Sequence, residues 1–151
     1  MISAQVVADS KNEFGNRLTT FQITFPRIIL AEVNTHRMLS KNTASSRAIP
    51  FNKLLEMVKT NPFIPIAWQK DHKGMQGVEY HEENIGHMYS RWLQARDTAV
   101  YQAQELAKMD VTKQLCNRLL EPFMWCTMLI SGTEWENFFH LRCPKYQTIQ
   151  G

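Results

Sequence analysis

The chain has 151 residues, of which 44% are apolar and 21% charged, and a formal net charge of +3. This length and composition are ordinary for one globular domain, so we expect a single domain over residues 1–151. The net charge is low and the sequence has no run of consecutive Lys or Arg residues, which argues against nucleic-acid binding. No apolar stretch is long enough to span a membrane.

The first half of the chain predicts a hairpin followed by short helices. Residues 2–8 and 17–25 are rich in strand-forming residues and predict two strands joined by a turn. Pro26 suits the first turn of a helix over about residues 27–35. The polar stretch after it is predicted as a loop, and residues 51–59 as a short helix.

The second half predicts one long helix and three shorter elements. Apolar residues recur at three- and four-residue spacing over about residues 82–109, which predicts a long amphipathic helix that packs in the core or on another helix. A helix over residues 110–120, a strand over 124–131 and a helix over 133–141 follow, the last with Thr133 and Glu136 in a capping-box pattern. The fold class is therefore α+β, with a small, mostly antiparallel sheet packed with several helices.

The cysteines and histidines predict neither a disulfide framework nor a metal site. Three cysteines are an odd number and form no Cys-x-x-Cys pair, and the histidines show no ligand spacing. The N-terminal residues show no signal-peptide pattern. We therefore expect a cytoplasmic protein with no bound metal.

The stretch His36–Arg47 concentrates groups that can bind an anion. It contains one imidazole, two guanidiniums and several hydroxyls, with no acidic residue. Guanidinium forks match phosphate or carboxylate geometry, and hydroxyls supply further donors. A basic, solvated loop is the alternative interpretation of the same composition.

The order of these residues carries more information than their composition. His-Arg-x-x-Ser-x-Asn-x-x-Ser-x-Arg resembles the signature of the flavin-dependent thymidylate synthases. The preceding segment, Pro26–Thr35, and the later blocks Asn117–Phe123 and Thr133–Arg142 are also similar to that family. The resemblance covers most of the chain, from the first strand to about Arg142.

The resemblance implies an enzyme that converts dUMP to dTMP by reductive methylation. In that family methylenetetrahydrofolate supplies the carbon, and NADPH reduces a bound FAD. The cofactor carries the hydride chemistry, and the protein supplies position and electrostatics. The resemblance also implies a homotetramer whose active sites combine residues of several subunits, with dUMP and folate as small-molecule ligands.

Family positions can be carried over to individual residues of this sequence. Those matching flavin contacts are His36, Arg37, Thr43, Ser131 and Asn137. Those matching the substrate side are Glu32, Ala44, Ser45, Ser46, Arg47, Arg118 and Arg142. Arg142 is the expected catalytic residue, because in the family this arginine meets the uracil and favours ionisation at its N3 position. Structural or solvated roles remain the alternatives for His36, Arg118 and Glu32.

The sequence also departs from the family pattern. Thr35 stands where many members have Arg, and Thr43 where Glu is frequent. The family continues beyond this arginine into a C-terminal helix, whereas the sequence ends at Gly151, so we expect that C-terminal part to be missing. The alternative function is therefore a non-catalytic relative that binds nucleotide or flavin and lacks the C-terminal helix.

Overall fold

The computed structural model describes residues 1–74 and 77–143. The strands of this part are β1 (Ser3–Lys11), β2 (Arg17–Pro26), β3 (Ser40–Thr43) and β4 (Trp125–Gly132). Its α-helices are α1 (Leu30–Asn34), α2 (Phe51–Thr60), α3 (Ile85–Lys108), α4 (Lys113–Leu120) and α5 (Trp135–Arg142). The predicted α+β class and the predicted long helix are confirmed. No helix within the described ranges is long and apolar enough to cross a bilayer.

The four strands form one sheet in the order β1-β2-β4-β3. β1 and β2 pair in antiparallel fashion from Ser3↔Thr24 to Lys11↔Arg17, and β3 pairs with β4 from Ser40↔Ser131 to Thr43↔Met128. Side-chain hydroxyls of β2 and β4 meet at Thr20–Ser131 and at Thr24–Thr127, which is also an antiparallel order. The predicted antiparallel sheet is confirmed.

Two predictions about local structure are wrong. The signature stretch was expected to be a loop, but its middle forms the edge strand β3, because its backbone pairs with β4. The capping box of Thr133 and Glu136 does not form, because α5 begins at Trp135 with Glu134 as its N-cap and no side-chain cap bond. Polar strand residues at a sheet edge need no apolar alternation, which is why the first error arose.

By contacts between residues, the chain divides into two compact units. Among the described residues, the first contains Met1–Phe25, Ile29–Thr43 and residues 126–143. Its core is built on β4, where Cys126, Met128 and Ile130 are buried and the residues between them are exposed. This is the period-two pattern of a strand with one covered face. Trp135 and Phe138 of α5 pack against this core.

The second unit contains Pro26–Ile28 and Ala44–Trp125. Its core joins α2, α3, α4 and the short 3₁₀ turn after α4, through residues that are all buried: Leu54, Leu55, Val58, Val100, Ala103, Leu120, Phe123 and Met124. The first turn of α3 does not share in this core, since Ile85 is 44% exposed. That the two units make a single domain stays a prediction.

Candidate functional site

A cleft of about 470 Å³ lies in the first unit, between the bend that follows α1 and residues of α5. Four of the residues predicted for the site line it: His36, Arg37, Asn137 and Arg142. Its volume falls within the range of small-molecule sites. The structure therefore brings together residues from the first signature and from the last family-like block.

Backbone bonds at the end of α1 place His36 and Arg37 on the cleft. The amide of Thr35 donates to the carbonyl of Glu32, and the amide of His36 donates to the carbonyl of Val33. The next turn closes when the amide of Leu39 donates to the carbonyl of His36. The side chain of Leu39 is buried in the core of the first unit, and this burial anchors the bend. The side chains before it are left facing outward.

Arg142 is held by contacts to two other residues of the cleft. Its Nη2 lies 3.4 Å from Nδ1 of His36, and its Cζ lies 4.4 Å from the centre of the Phe138 ring. Its Nη1 also donates to the carbonyl of Phe138 at 3.4 Å. The His36 ring meets Phe138 edge to face, with centroids 5.5 Å apart. A guanidinium over an aromatic face keeps its charge while losing freedom of orientation.

The imidazole of His36 favours its neutral form. Burial lowers its pKa, and the positive charges of Arg142 and, to a smaller extent, Lys41 lower it further. A guanidinium has donors only, so the neutral ring accepts from Arg142 at Nδ1 and carries its proton on Nε2. The cleft thus holds a cation beside a neutral imidazole whose N–H at Nε2 has no hydrogen-bond partner among the described residues.

The structure adds two residues that sequence reasoning missed, one in the cleft lining and one bonded to it. Glu134, the N-cap of α5, brings a carboxylate to the lining. Lys41 of β3 donates through Nζ to the carbonyl of His36 and so ties the bend to the edge strand. A bond to a backbone carbonyl leaves no pattern in the sequence, so nothing in the signature could have indicated the role of Lys41.

A second group of predicted residues lies in the second unit, on a 3₁₀ turn at Ser46–Ala48 and on α4. Ser45 is the N-cap of the turn and accepts from the amide of Arg47 at 3.4 Å. Ala44, Ser45 and Arg47 are exposed, as is Arg118 on α4. The turn packs on α4, so two exposed arginines are carried by elements in contact.

Ser46 points the other way and is buried. Its hydroxyl donates to Oε1 of Glu121, which also accepts from Nη2 of Arg27 at 3.4 Å. The side-chain Nδ2 of Asn117 donates to the carbonyls of Ser46 and Ile49, each at 2.8 Å. Sequence reasoning placed Ser46 on the substrate side and gave no role to Asn117 or Glu121, although both lie within the family-like block 117–123.

Three predicted residues lie in the first unit but do not line the cleft. The hydroxyl of Thr43 donates to the carbonyl of Thr127 at 2.7 Å, and that of Ser131 meets Thr20 at 2.6 Å. Both hydroxyls are thus engaged within the sheet. Glu32 is exposed on α1. Their assignments to flavin and substrate stay predictions.

The second unit also contains a cleft of about 630 Å³ around residues 78–84. It is lined by Glu79, Glu82 and Glu83 as well as Lys70 and His81. Three carboxylates repel an anionic ligand, so this cleft does not suit a nucleotide phosphate. Across residues 1–74 and 77–143, no group of three or more His, Cys, Asp or Glu could hold a metal ion.

Comparison with known proteins shows the fold. No family model and no curated protein matches the sequence. Among solved structures, the UMP/dUMP methylase PolB from Streptomyces cacaoi bound with 5-Br UMP has a TM-score of 0.69 and 13% identity, over 88% of this chain and 71% of that chain. The same methylase bound with 5-Br dUMP has a TM-score of 0.71 and 13% identity, over 93% and 76%. The chain shares the fold of a nucleotide methylase.

Proposed function

We propose that the protein is a flavin-dependent thymidylate synthase, which methylates dUMP reductively to dTMP with methylenetetrahydrofolate, NADPH and bound FAD. The observation that carries the proposal is the cleft where His36, Arg37, Asn137 and Arg142 meet. These residues were assigned from sequence blocks that lie about a hundred residues apart. The fold shared with a UMP/dUMP methylase supports the same reaction class.

The composition of the cleft lining supports the proposal of a flavin site. Phe138 and Leu141 offer apolar surface, and His36, Arg37 and Asn137 offer directed donors. Such a mixture of apolar wall and few polar groups is typical of cofactor sites. Bound FAD would supply the hydride chemistry. His36, with its proton on Nε2, and Arg37 would then donate to the ring edge and stabilise negative charge there.

Arg142 is proposed to stabilise negative charge on the pyrimidine. A guanidinium remains protonated at any working pH, and Phe138 and the Phe138 carbonyl fix its direction. A cation held in place before the reaction stabilises developing charge without reorganising. We therefore assign to Arg142 the role of favouring ionisation at N3 of the uracil.

The exposed donors of the second unit are proposed to bind the nucleotide phosphate. Among the described ion pairs none involves Arg47 or Arg118, so both guanidiniums remain available for an anion. Ser45 adds a hydroxyl, and Ala44 and Ser46 add backbone groups. Glu32 is proposed as a further contact on the substrate side.

The assembly and location follow from the same proposal. We propose a homotetramer with shared active sites that binds folate, in a cytoplasmic setting. The free thiols of Cys116, Cys126 and Cys143 support a reducing compartment. Residues 144–151, where the sequence departs from the family pattern, lie outside the described part of the chain.

The test is the visible absorbance spectrum of the purified protein with FAD, before and after dUMP, followed by an assay for dTMP. We expect an oxidised flavin spectrum that dUMP shifts, and turnover that Arg142→Ala lowers by about a hundredfold or more. Arg91→Ala, on the exposed face of α3, is the matched arginine control and should retain turnover. A protein that binds FAD and dUMP but makes no dTMP would support the non-catalytic alternative. A protein that ignores FAD would refute the enzyme, and one that ignores dUMP as well would refute the alternative too.

A further inference from the structure

The turn that carries Arg47 is held by Asn117, which is buried, and by Glu121, which is partly buried. Asn117 is 0% exposed and donates both protons of its amide, one to the carbonyl of Ser46 and one to that of Ile49. Glu121, one turn later, accepts from the hydroxyl of Ser46 and from Arg27. Together they hold the carbonyl of Ser46, the first residue of the turn, the carbonyl of its C-cap Ile49, and the hydroxyl of Ser46.

Asn117 would be less favourable for stability than an apolar residue if it served only to fill the core. Its Oδ1 is buried and has no hydrogen-bond partner within the described residues. An acceptor buried without a partner costs free energy, and a leucine of similar size would avoid that cost. The two donated protons explain the asparagine, because a leucine would leave two carbonyls of the turn without a donor.

The residues that follow Asn117 and Ser46 in the sequence are both arginines. Arg118 follows Asn117 directly on α4 and is exposed, while Arg47 follows Ser46 directly on the turn and is also exposed. Asn117 therefore directly precedes one exposed arginine and is hydrogen-bonded to the residue that directly precedes the other. Since Asn117 is bonded to the carbonyl of Ser46, this bond fixes the backbone positions from which the two arginine side chains extend.

We propose that Asn117 and Glu121 are positioning residues that set the geometry of Arg47 and Arg118, and hence the preference of the site for a nucleotide with a phosphate monoester. This inference rests on the proposed function, because it assumes that the two arginines bind the phosphate of dUMP. Guanidinium recognition of phosphate depends on geometry as well as charge, so loss of the anchors should weaken the preference while both charges remain.

The test compares dUMP with deoxyuridine, which lacks the phosphate, by calorimetric titration of the full chain with FAD present. The readout is the dissociation constant of deoxyuridine divided by that of dUMP, which is large when the phosphate contributes to binding. We expect Asn117→Leu to reduce this ratio by about tenfold, as for loss of one well-aligned charged hydrogen bond. Glu121→Met should reduce it in the same way. Glu121→Gln, which keeps an acceptor for Ser46, should retain most of it.

Leu120→Val is the matched control, because Leu120 lies on the same helix, is as fully buried as Asn117 and packs in the apolar core of the second unit. It should lower thermal stability while leaving the ratio unchanged, which separates positioning from general destabilisation. If Asn117→Leu does not fold, the two Glu121 variants decide the question. A wild-type protein that prefers dUMP, with folded variants of unchanged ratio, would overturn this inference alone. A wild type with no preference would overturn it together with the proposed phosphate site.

Discussion

Nη2 of Arg142 lies 3.4 Å from Nδ1 of His36, although 106 residues separate the two in the sequence. The contact is favourable only when the imidazole is neutral, because a protonated ring would offer a second positive charge and no acceptor. Lys41 adds another cation on the same side. The cleft therefore keeps His36 as a neutral donor and acceptor and leaves the positive charge to the arginines.

The first prediction concerns the pKa of His36 when Arg142 loses its charge. In Arg142→Gln the pKa of His36 should rise toward its ordinary value, because one of the charges that lower it is gone. It should remain below that value, since burial is the largest cause and is unchanged. An NMR titration of the imidazole resonances measures it. Arg37→Gln is the control, because Arg37 lines the cleft but is not among the causes. An equal rise in that variant would show that the contact with Arg142 is not what matters.

The second prediction concerns the pH dependence of stability. The pKa of His36 is lowered in the folded protein, so the unfolded chain binds the proton more readily. The contribution of His36 to stability is therefore fully present above about pH 6.5, the ordinary value for histidine, and is lost as the pH falls through the folded pKa. Urea unfolding at several pH values between 7.5 and 5 should show a steeper loss for the wild type than for His36→Gln. Parallel curves would contradict the prediction.

Periodicity predicted the elements that bury an apolar face. The long helix α3 carries Val100 and Ala103 into the core, and β4 alternates buried and exposed residues, so both left clear patterns. The strand β3 left none, because its residues Ser40–Thr43 are polar and its pairing uses only the backbone. Likewise β1 continues to Lys11, past its apolar residues, where pairing with β2 and the bond of Asp9 to Arg17 hold the polar end.

Some residues of the candidate site could be predicted from the sequence, and others could be found only in the structure. His36, Arg37, Asn137 and Arg142 were grouped in advance only because their order resembles a known family. Composition alone gave an anion-binding stretch and no partner from the other end of the chain. Asn117 escaped notice because its bonds run to backbone carbonyls of residues about seventy positions away. Long-range bonds to the main chain depend on the fold, and they leave no local signal in the sequence.

The third prediction concerns Asp9 at the polar end of the hairpin. Hydrogen bonds from Arg17 and then Thr19 are the main causes that lower the pKa of this carboxyl to about 2. Its stabilising contribution is therefore present above about pH 3.9, the ordinary value for aspartate, and is lost as the pH falls toward about 2. In Arg17→Gln the pKa of Asp9 should rise, as measured by NMR titration of the carboxyl.

Lys11→Gln is the control for that change. Lys11 is paired with Arg17 in the sheet but is not among the causes of the shift. Its loss should leave the titration of Asp9 close to that of the wild type. A similar rise in both variants would show that net charge near the hairpin, and not the specific bond to Arg17, lowers the pKa.

The fourth prediction concerns Gly132, which is buried at the end of β4 and lies close to Leu39 of the cleft lining. A Cβ at this position would lie 2.6 Å from Cδ2 of Leu39 and 3.6 Å from the indole of Trp135. Leu39 is only 6% exposed, so its side chain cannot swing away without disturbing the core. We expect Gly132→Ala to lower the free energy of unfolding by about 1–3 kcal/mol, as overpacking does, measured by urea denaturation.

A double mutant tests the cause. Leu39→Ala alone should cost about 2–5 kcal/mol through the cavity that it leaves. Adding Gly132→Ala in that background should cost much less than in the wild type, because the atom that it strikes is gone. Gly86→Ala is the matched control, since nothing lies within 4 Å of a Cβ there and α3 should gain up to about 1 kcal/mol from the better helix former. Strict additivity of the two changes would show that Leu39 is not what makes glycine necessary at position 132. Coupling would link the packing of β4 directly to the bend that presents His36.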